Sequence, residues 1–128
     1  MDDANVPSLL SMPYLGYCKK EDTLYQHTRS FILSHHNPYY YQGTCASGIG
    51  SPHTPKNYIR HIALSMRGLT GTKEEAKKMI NLILETSNNE GLCQEGFNKD
   101  EPSEYTRFWF AWANSLFVEL VYQTYFVK

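Results

Sequence analysis

The last 24 residues of the chain carry half of its aromatic side chains, and this feature most limits how the chain can fold. The sequence has 128 residues with ten Tyr, six Phe and two Trp, and nine of these 18 rings lie between Tyr105 and Phe126. Drawn as a helix, the segment places rings almost all round its circumference. Such a helix needs partner surfaces on several sides, so we predict an inner helix that other elements cover.

The same segment is the one stretch that resembles a membrane span. Between Tyr105 and Val127, however, it carries Arg107, Asn114, Glu119 and Gln123. A span of this length has to stay apolar to cross a bilayer. We therefore interpret it as a helix buried in protein and expect no membrane partner.

Bulk composition excludes further classes of protein. The length is that of one ordinary domain, with no room for a second. Twelve basic and 13 acidic residues give a net charge of -1, so the chain has no excess of positive charge for phosphate backbones or anionic lipids. We expect no nucleic-acid partner.

The cysteines and the N-terminus bear on the compartment. Cys18, Cys45 and Cys93 are odd in number and widely spaced, and they contain no C-x-x-C pair of the kind used in zinc or redox sites. The first residues form neither a basic region nor an apolar region of a signal peptide. These features favour a reduced, cytoplasmic location.

Five helical stretches can be placed, and no strand pattern emerges, so we predict an all-α chain. The clearest helix begins at the capping box Thr72-x-x-Glu75 and runs to about Ser87, with one apolar and one charged face. The others are predicted over residues 5–12, about 21–33, 54–68, and from 103 or 104 nearly to the C-terminus.

Two long loops interrupt these helices. The loop from His35 to His53 has 19 residues, and the other runs from Gly91 to Pro102. The first combines tyrosines, Asn37 and His53 with glycines and prolines, a mixture that suits a neutral polyhydroxylated ligand such as a sugar. A rigid structural loop explains the same composition. The histidines show no regular metal-ligand spacing.

Three charged positions are candidates for chemistry, each with a structural alternative. Asp2 and Asp3 precede a predicted helix, where capping alone accounts for them. Glu95 lies in a loop among small and apolar residues, where it is either a general base or a solvated carboxylate. Arg107 lies among aromatic residues, and a buried arginine there either pairs with a carboxylate or lines a pocket.

Several blocks in series carry a family resemblance. These are residues 2–17, Thr28-Arg29, residues 37–40, residues 48–55, and the Thr-Arg-x-Trp-Phe-Ala-Trp-Ala-Asn-Ser-Leu-Phe stretch at 106–117. Together, and in this order, they resemble glycoside hydrolase family 125. The resemblance covers nearly the whole chain.

The resemblance implies a fold and a reaction. Members are metal-independent exo-α-1,6-mannosidases that act with inversion on an (α/α)6 barrel. By this resemblance, residues 1–128 are a C-terminal portion of such a catalytic domain, with a partial (α/α)6 barrel and no separate second domain. The implied partner is an α-mannoside or an N-glycan-derived oligosaccharide, with no cofactor and no metal.

The resemblance also assigns roles to residues. It makes Glu95 the general base and places five residues in the substrate site: Asp2, Asp3, Asn5, His53 and Arg107. Inversion needs a carboxylic acid about 6.5–9.5 Å from the base, and the resemblance places that acid upstream of this chain. We therefore expect the 128 residues alone not to release mannose, and their aromatic helix to leave apolar surface exposed.

The chain departs from the family pattern around the proposed base and pocket. It has Gln94 and Gly96 where a histidine and a serine flank the glutamate, Arg60 where a tryptophan is usual, and Phe108 where a proline is usual. These departures keep an alternative open. The chain would then be a catalytically inactive remnant that acts at most as a mannoside-binding or helical interaction module.

Overall fold

The protein is described by a computed structural model that covers residues 2–3, 5–87 and 92–127. Over these residues the chain forms four α-helices and five short β-strands. In chain order they are α1 (Thr23–Ile32), β1 (Tyr40–Gln42), β2 (Ser47–Ile49), β3 (Tyr58–Ile59), α2 (His61–Leu69), α3 (Lys73–Thr86), β4 (Gly96–Asn98), β5 (Tyr105–Thr106) and α4 (Ala111–Tyr125).

Two helices lie where local signals predict them. Helix α3 begins after Thr72, whose hydroxyl accepts a hydrogen bond from the Glu75 backbone N–H at 3.2 Å. This is one half of the predicted capping box. Helix α1 begins after Asp22, whose carboxylate accepts from the Tyr25 N–H at 3.0 Å. Side-chain caps at both starts satisfy backbone donors that a helix leaves unpaired.

The helix predicted over residues 5–12 is wrong, because this segment forms consecutive turns. The Asp2 carboxylate accepts from the backbone N–H groups of Leu9 and Leu10, and the Ser11 hydroxyl accepts from the Ser8 N–H. Side chains thus take donors that a continuing helix would pair with its own carbonyls. Pro13 also lacks the N–H that continuation requires.

Two small antiparallel sheets correct the all-α prediction. Strands β1 and β2 pair with each other, and β4 is the central strand between β3 and β5. In the second sheet Ile59 is opposite Phe97, and Gly96 is opposite Thr106. This pairing holds residues 58–59 and 105–106 extended, so α2 and α4 begin later than predicted. That these helices form part of an (α/α)6 barrel stays a prediction.

Helix α2 forms the centre of the hydrophobic core and packs against both α3 and α4. Ile62, Leu64 and Met66 are almost fully buried along it. Near its end, Gly68 allows close approach to α4, since a Cβ atom there would lie 2.7 Å from Leu120 Cδ1. A side chain at Gly68 would therefore require the buried Leu120 side chain to shift.

The aromatic C-terminal helix is buried on one side and exposed on the others. Helix α4 buries Ala113, Leu116, Leu120 and Thr124. Large apolar side chains on and around it are exposed: Trp109, Trp112, Val118, Tyr122, Tyr125 and Phe126. The expected exposed apolar surface is confirmed, and the prediction that further elements cover this helix stays a prediction. Over the described residues, none of the helices has the length and apolar character that a bilayer crossing needs.

Candidate active site

Glu95 stands immediately before β4, and hydrogen bonds hold its backbone on both sides. Its N–H donates to the carbonyls of Thr106, at 3.1 Å, and of Arg107, at 3.3 Å. Its carbonyl accepts from Arg60 Nε at 3.3 Å. The Cα of Glu95 is therefore located by the start of α2 and by the end of β5 together.

The two residues before Glu95 are anchored as well. The Cys93 N–H donates to Asn114 Oδ1 at 3.1 Å, and the Cys93 carbonyl accepts from the Phe110 N–H at 3.1 Å. These bonds tie the segment to the first turn of α4. The Gln94 N–H donates to His61 Nδ1 at 3.0 Å. Residues 93–95 thus have a defined path, which a catalytic carboxylate requires.

His61 is a fully buried neutral histidine that supports this segment. Because Nδ1 accepts from Gln94, the ring proton is on Nε2, which donates to the Thr86 hydroxyl at 2.9 Å. That hydroxyl in turn donates to the Leu82 carbonyl at 2.8 Å. Burial lowers the pKa of His61 to about 3, since the charged ring would lose its hydration.

The side chain of Glu95 is mostly buried, at 18% exposure, and faces Arg107. The distance from Arg107 Nε to Glu95 Oε2 is 3.6 Å. Arg107 is 66% exposed, so the prediction of a buried arginine is wrong, while the predicted pairing with a carboxylate is present. Its backbone has a φ of 48°, a left-handed conformation uncommon for a residue other than glycine.

The half-buried ring of Phe110 lies beside two guanidinium groups. Arg60 Cζ is 5.5 Å from the ring centroid, and Arg107 Cζ is 5.9 Å from it. These distances allow cation–π attraction to both. The ring therefore links the two arginines that lie next to Glu95.

Asp3 and Asn5 join this cluster through Arg60. The Asp3 carboxylate accepts from the Asn5 backbone N–H at 3.1 Å and from Asn5 Nδ2 at 2.9 Å. Asn5 Oδ1 accepts from Arg60 Nη1 at 3.2 Å. The side chain of Arg60 therefore connects the N-terminal segment to Glu95.

Asp2 has a different setting. Its buried carboxylate accepts from the N–H groups of Leu9 at 2.9 Å and Leu10 at 3.3 Å, and its carbonyl accepts from Asn37 Nδ2 at 2.7 Å. Burial raises its pKa, and the two backbone hydrogen bonds partly oppose this. These contacts hold the turn that contains Leu9 and Leu10, and the predicted role of Asp2 in substrate binding stays a prediction.

His53 is exposed on the loop that leads to β3, and its N–H donates to the Ser51 hydroxyl at 3.1 Å. The next residue, Thr54, packs on the sheet, since a Cβ built on Gly96 would lie 3.2 Å from Thr54 Cγ2. The loop of His53 therefore runs beside the strand that follows Glu95. A serine at position 96 would need this threonine to shift slightly.

The structure thus brings together four predicted site residues, Asp3, Asn5, Glu95 and Arg107. From the sequence, Arg60 is only a departure from the family pattern with no assigned role in the site, whereas the structure places it in this cluster. A polar cluster with one oriented carboxylate can take a proton from water and bind hydroxyl groups. Within the described residues, the chain has no group of three side chains placed to hold a metal ion.

Comparison with known proteins identifies the family. A family model described as metal-independent alpha-mannosidase (GH125) matches residues 1–122. The Meiotically up-regulated gene 157 protein of Schizosaccharomyces pombe is 42% identical over 123 residues, which are 94% of this chain and 24% of that protein.

A solved structure is similar over the whole chain. It is a metal-independent α-mannosidase from Streptococcus pneumoniae in a non-productive complex with α-1,6-mannobiose, with 50% identity and a TM-score of 0.97, and the match covers 100% of this chain and 30% of that one. The chain thus spans less than a third of either relative. Because the family model matches nearly all of its residues, the chain belongs to glycoside hydrolase family 125.

Proposed function

We propose that this chain is a portion of the catalytic domain of an exo-acting α-1,6-mannosidase that releases terminal mannose with inversion. The observation that carries the proposal is Glu95, whose backbone is anchored by hydrogen bonds and whose mostly buried carboxylate lies beside Arg107. The solved relative supports the substrate class, because it contains α-1,6-mannobiose. We expect the substrate to be an α-mannoside or an oligosaccharide derived from an N-glycan.

In this proposal Glu95 is the general base. Its carboxylate takes a proton from a water molecule while the water oxygen forms a bond to the anomeric carbon of mannose. The bond from that carbon to the leaving oxygen breaks, and a carboxylic acid about 6.5–9.5 Å from the base protonates the leaving oxygen. The backbone bonds of Glu95 orient the base for this step, which is where precise positioning matters most.

The remaining candidates supply groups that suit sugar hydroxyls. Arg107 exposes guanidinium donors next to the base, and Asn5 and Asp3 provide an amide and a carboxylate. His53 adds an exposed imidazole on the neighbouring loop. We assign these four residues to mannose binding. We place Asp2 in the same substrate site, where it holds the turn over residues 8–11.

The test uses the longest protein that carries this segment, with α-1,6-mannobiose as substrate. We expect mannose release, with β-mannose as the first-formed anomer, and a fall in kcat of about 10²–10⁴-fold for Glu95→Gln. The control is Glu85→Gln, because Glu85 is an exposed glutamate on α3, and its rate should equal that of the parent.

Three outcomes contradict parts of this proposal. An unchanged rate for Glu95→Gln would remove Glu95 as the base. Formation of α-mannose first would exclude inversion. Mannobiose binding with no turnover by the parent would favour the inactive, mannoside-binding alternative, which the family match and the mannosidase neighbour do not favour.

A further inference from the structure

Arg60 is a buried arginine at a junction of three segments. It occupies the position before α2, its exposure is 4%, and its side chain makes no capping bond to that helix. Long charged side chains are rarely this buried unless their polar atoms have partners. The partners of Arg60 therefore indicate why it is there.

The atoms of the Arg60 guanidinium contact three different segments of the chain. Nε donates to the Glu95 carbonyl at 3.3 Å, and Nη1 donates to Asn5 Oδ1 at 3.2 Å. Its Cζ lies 5.5 Å from the ring centroid of Phe110, the residue before α4. One side chain thus connects the proposed base, the N-terminal segment and the start of the aromatic helix.

Among the described residues, Arg60 has no close ion-pair partner to balance its charge. Glu95 and Asp3 attract its positive charge, Arg107 opposes it, and burial lowers the pKa of the guanidinium. In the described part of the chain, no carboxylate oxygen is recorded within 4.0 Å of it. A buried cation without such a pair is costly to stability, so simple packing does not account for it.

We propose that Arg60 is a positioning residue for the general base. It holds the Glu95 backbone and the Asn5 amide in a fixed relation to each other. This inference rests on the proposed function, since it concerns the same site. Arg60 acts through its neighbours and has no assigned contact with the reacting atoms.

Two variants of the full-length protein separate its hydrogen bonds from its charge. Arg60→Lys keeps the charge but loses the planar fork that reaches two acceptors, and Arg60→Met loses both. We expect kcat to fall in each, by about 10–100-fold, because a small displacement of a catalytic group has effects of this size. The loss in kcat should exceed the change in KM.

The balance between kcat and KM distinguishes positioning from a general loss of structure. A displaced base lowers kcat and kcat/KM together with little change in KM, whereas loss of the site's structure also weakens substrate binding and raises KM. Arg67→Met is the matched control, since Arg67 lies on α2 and pairs with Glu75 at 3.0 Å, and both kcat and KM should be unchanged.

The inference is overturned if both Arg60 variants keep the kcat of the parent, or if they raise KM as much as they lower kcat. If Arg60→Met does not fold, the kcat of Arg60→Lys decides, because the lysine retains the charge. Glu95→Gln in the same assay separates the two proposals. If Glu95→Gln is inactive while the Arg60 variants keep the kcat of the parent, only the role of Arg60 is rejected. If Glu95→Gln keeps the kcat of the parent, Glu95 is not the general base and the inference about Arg60 is rejected as well.

Discussion

Acidification should destabilise the chain through His61, the buried histidine that accepts a hydrogen bond from the Gln94 N–H. A protonated ring has no free Nδ1 lone pair, so that hydrogen bond would be lost. The proton would also charge a ring that is fully buried and 4.7 Å from the Phe97 ring centroid. Protonation therefore opposes the fold at the segment that leads into Glu95.

The magnitude follows from the pKa in the two states. The ordinary pKa of histidine is about 6.5, and burial lowers that of His61 to about 3. Because the unfolded chain takes up the proton first, the free energy of unfolding falls as the pH drops below about 6.5. The loss ends near pH 3, where the folded state is protonated too. Between about pH 7.5 and about pH 5 it amounts to roughly 2 kcal/mol.

The assay is urea unfolding of the parent and of His61→Gln at these two pH values. The substitution itself costs about 1–3 kcal/mol at about pH 7.5, since the Gln94 N–H loses its acceptor, and roughly 2 kcal/mol less at about pH 5, where the parent is already destabilised. The measured quantity is the free energy of unfolding lost between the two pH values, and this loss should be roughly 2 kcal/mol larger in the parent than in His61→Gln. A second control, His27→Gln, changes an exposed histidine on α1 and should keep the pH dependence of the parent.

One result would refute this reasoning directly. If the parent and His61→Gln lose the same free energy of unfolding between the two pH values, the His61 ring is not buried and neutral in the folded state. The hydrogen bond to Gln94 would then not explain how the segment before Glu95 is held.

Two further predictions concern stability. Phe97→Ala should lower the free energy of unfolding by about 3–5 kcal/mol, because Phe97 is fully buried in the central strand of the second sheet; Phe126→Ala, at a ring that is 72% exposed, should change it by less than about 0.5 kcal/mol. Glu75→Gln should cost about 1–2 kcal/mol, because this carboxylate lies 2.6 Å from Arg29 and 3.0 Å from Arg67, with solvent reducing the effect. Urea unfolding measures both effects. A Phe97→Ala variant as stable as the parent would contradict the described packing, and a Glu75→Gln variant as stable as the parent would contradict the described ion pairs.

Local sequence signals located the elements whose stabilising contacts are close in the chain. The Thr72 cap reaches Glu75 three residues on, and the Asp22 cap reaches Tyr25 in the same way. Such contacts depend on residue type and spacing alone. For that reason the start of α3 could be predicted from its cap, whereas α1 is predicted over about 21–33 from the helical spacing of its residues.

The strands were missed because their partners are distant. Ile59 pairs with Phe97, and Gly96 pairs with Thr106, so nothing near Ile59 reveals that it is extended. Strands of two or three residues also lack the period-two pattern that identifies longer strands. Tertiary pairing here overrides the helical preference of the neighbouring residues.

By itself the sequence determined the family resemblance, Glu95 as a candidate base, and the need of the C-terminal helix for cover. Tertiary structure alone decided how Glu95 is held and which residue joins it to the N-terminal segment. Arg60 reaches its two hydrogen-bond partners across 35 and 55 residues of chain. A hydrogen bond depends on distances of a few ångström in space, and separation along the chain carries no information about them.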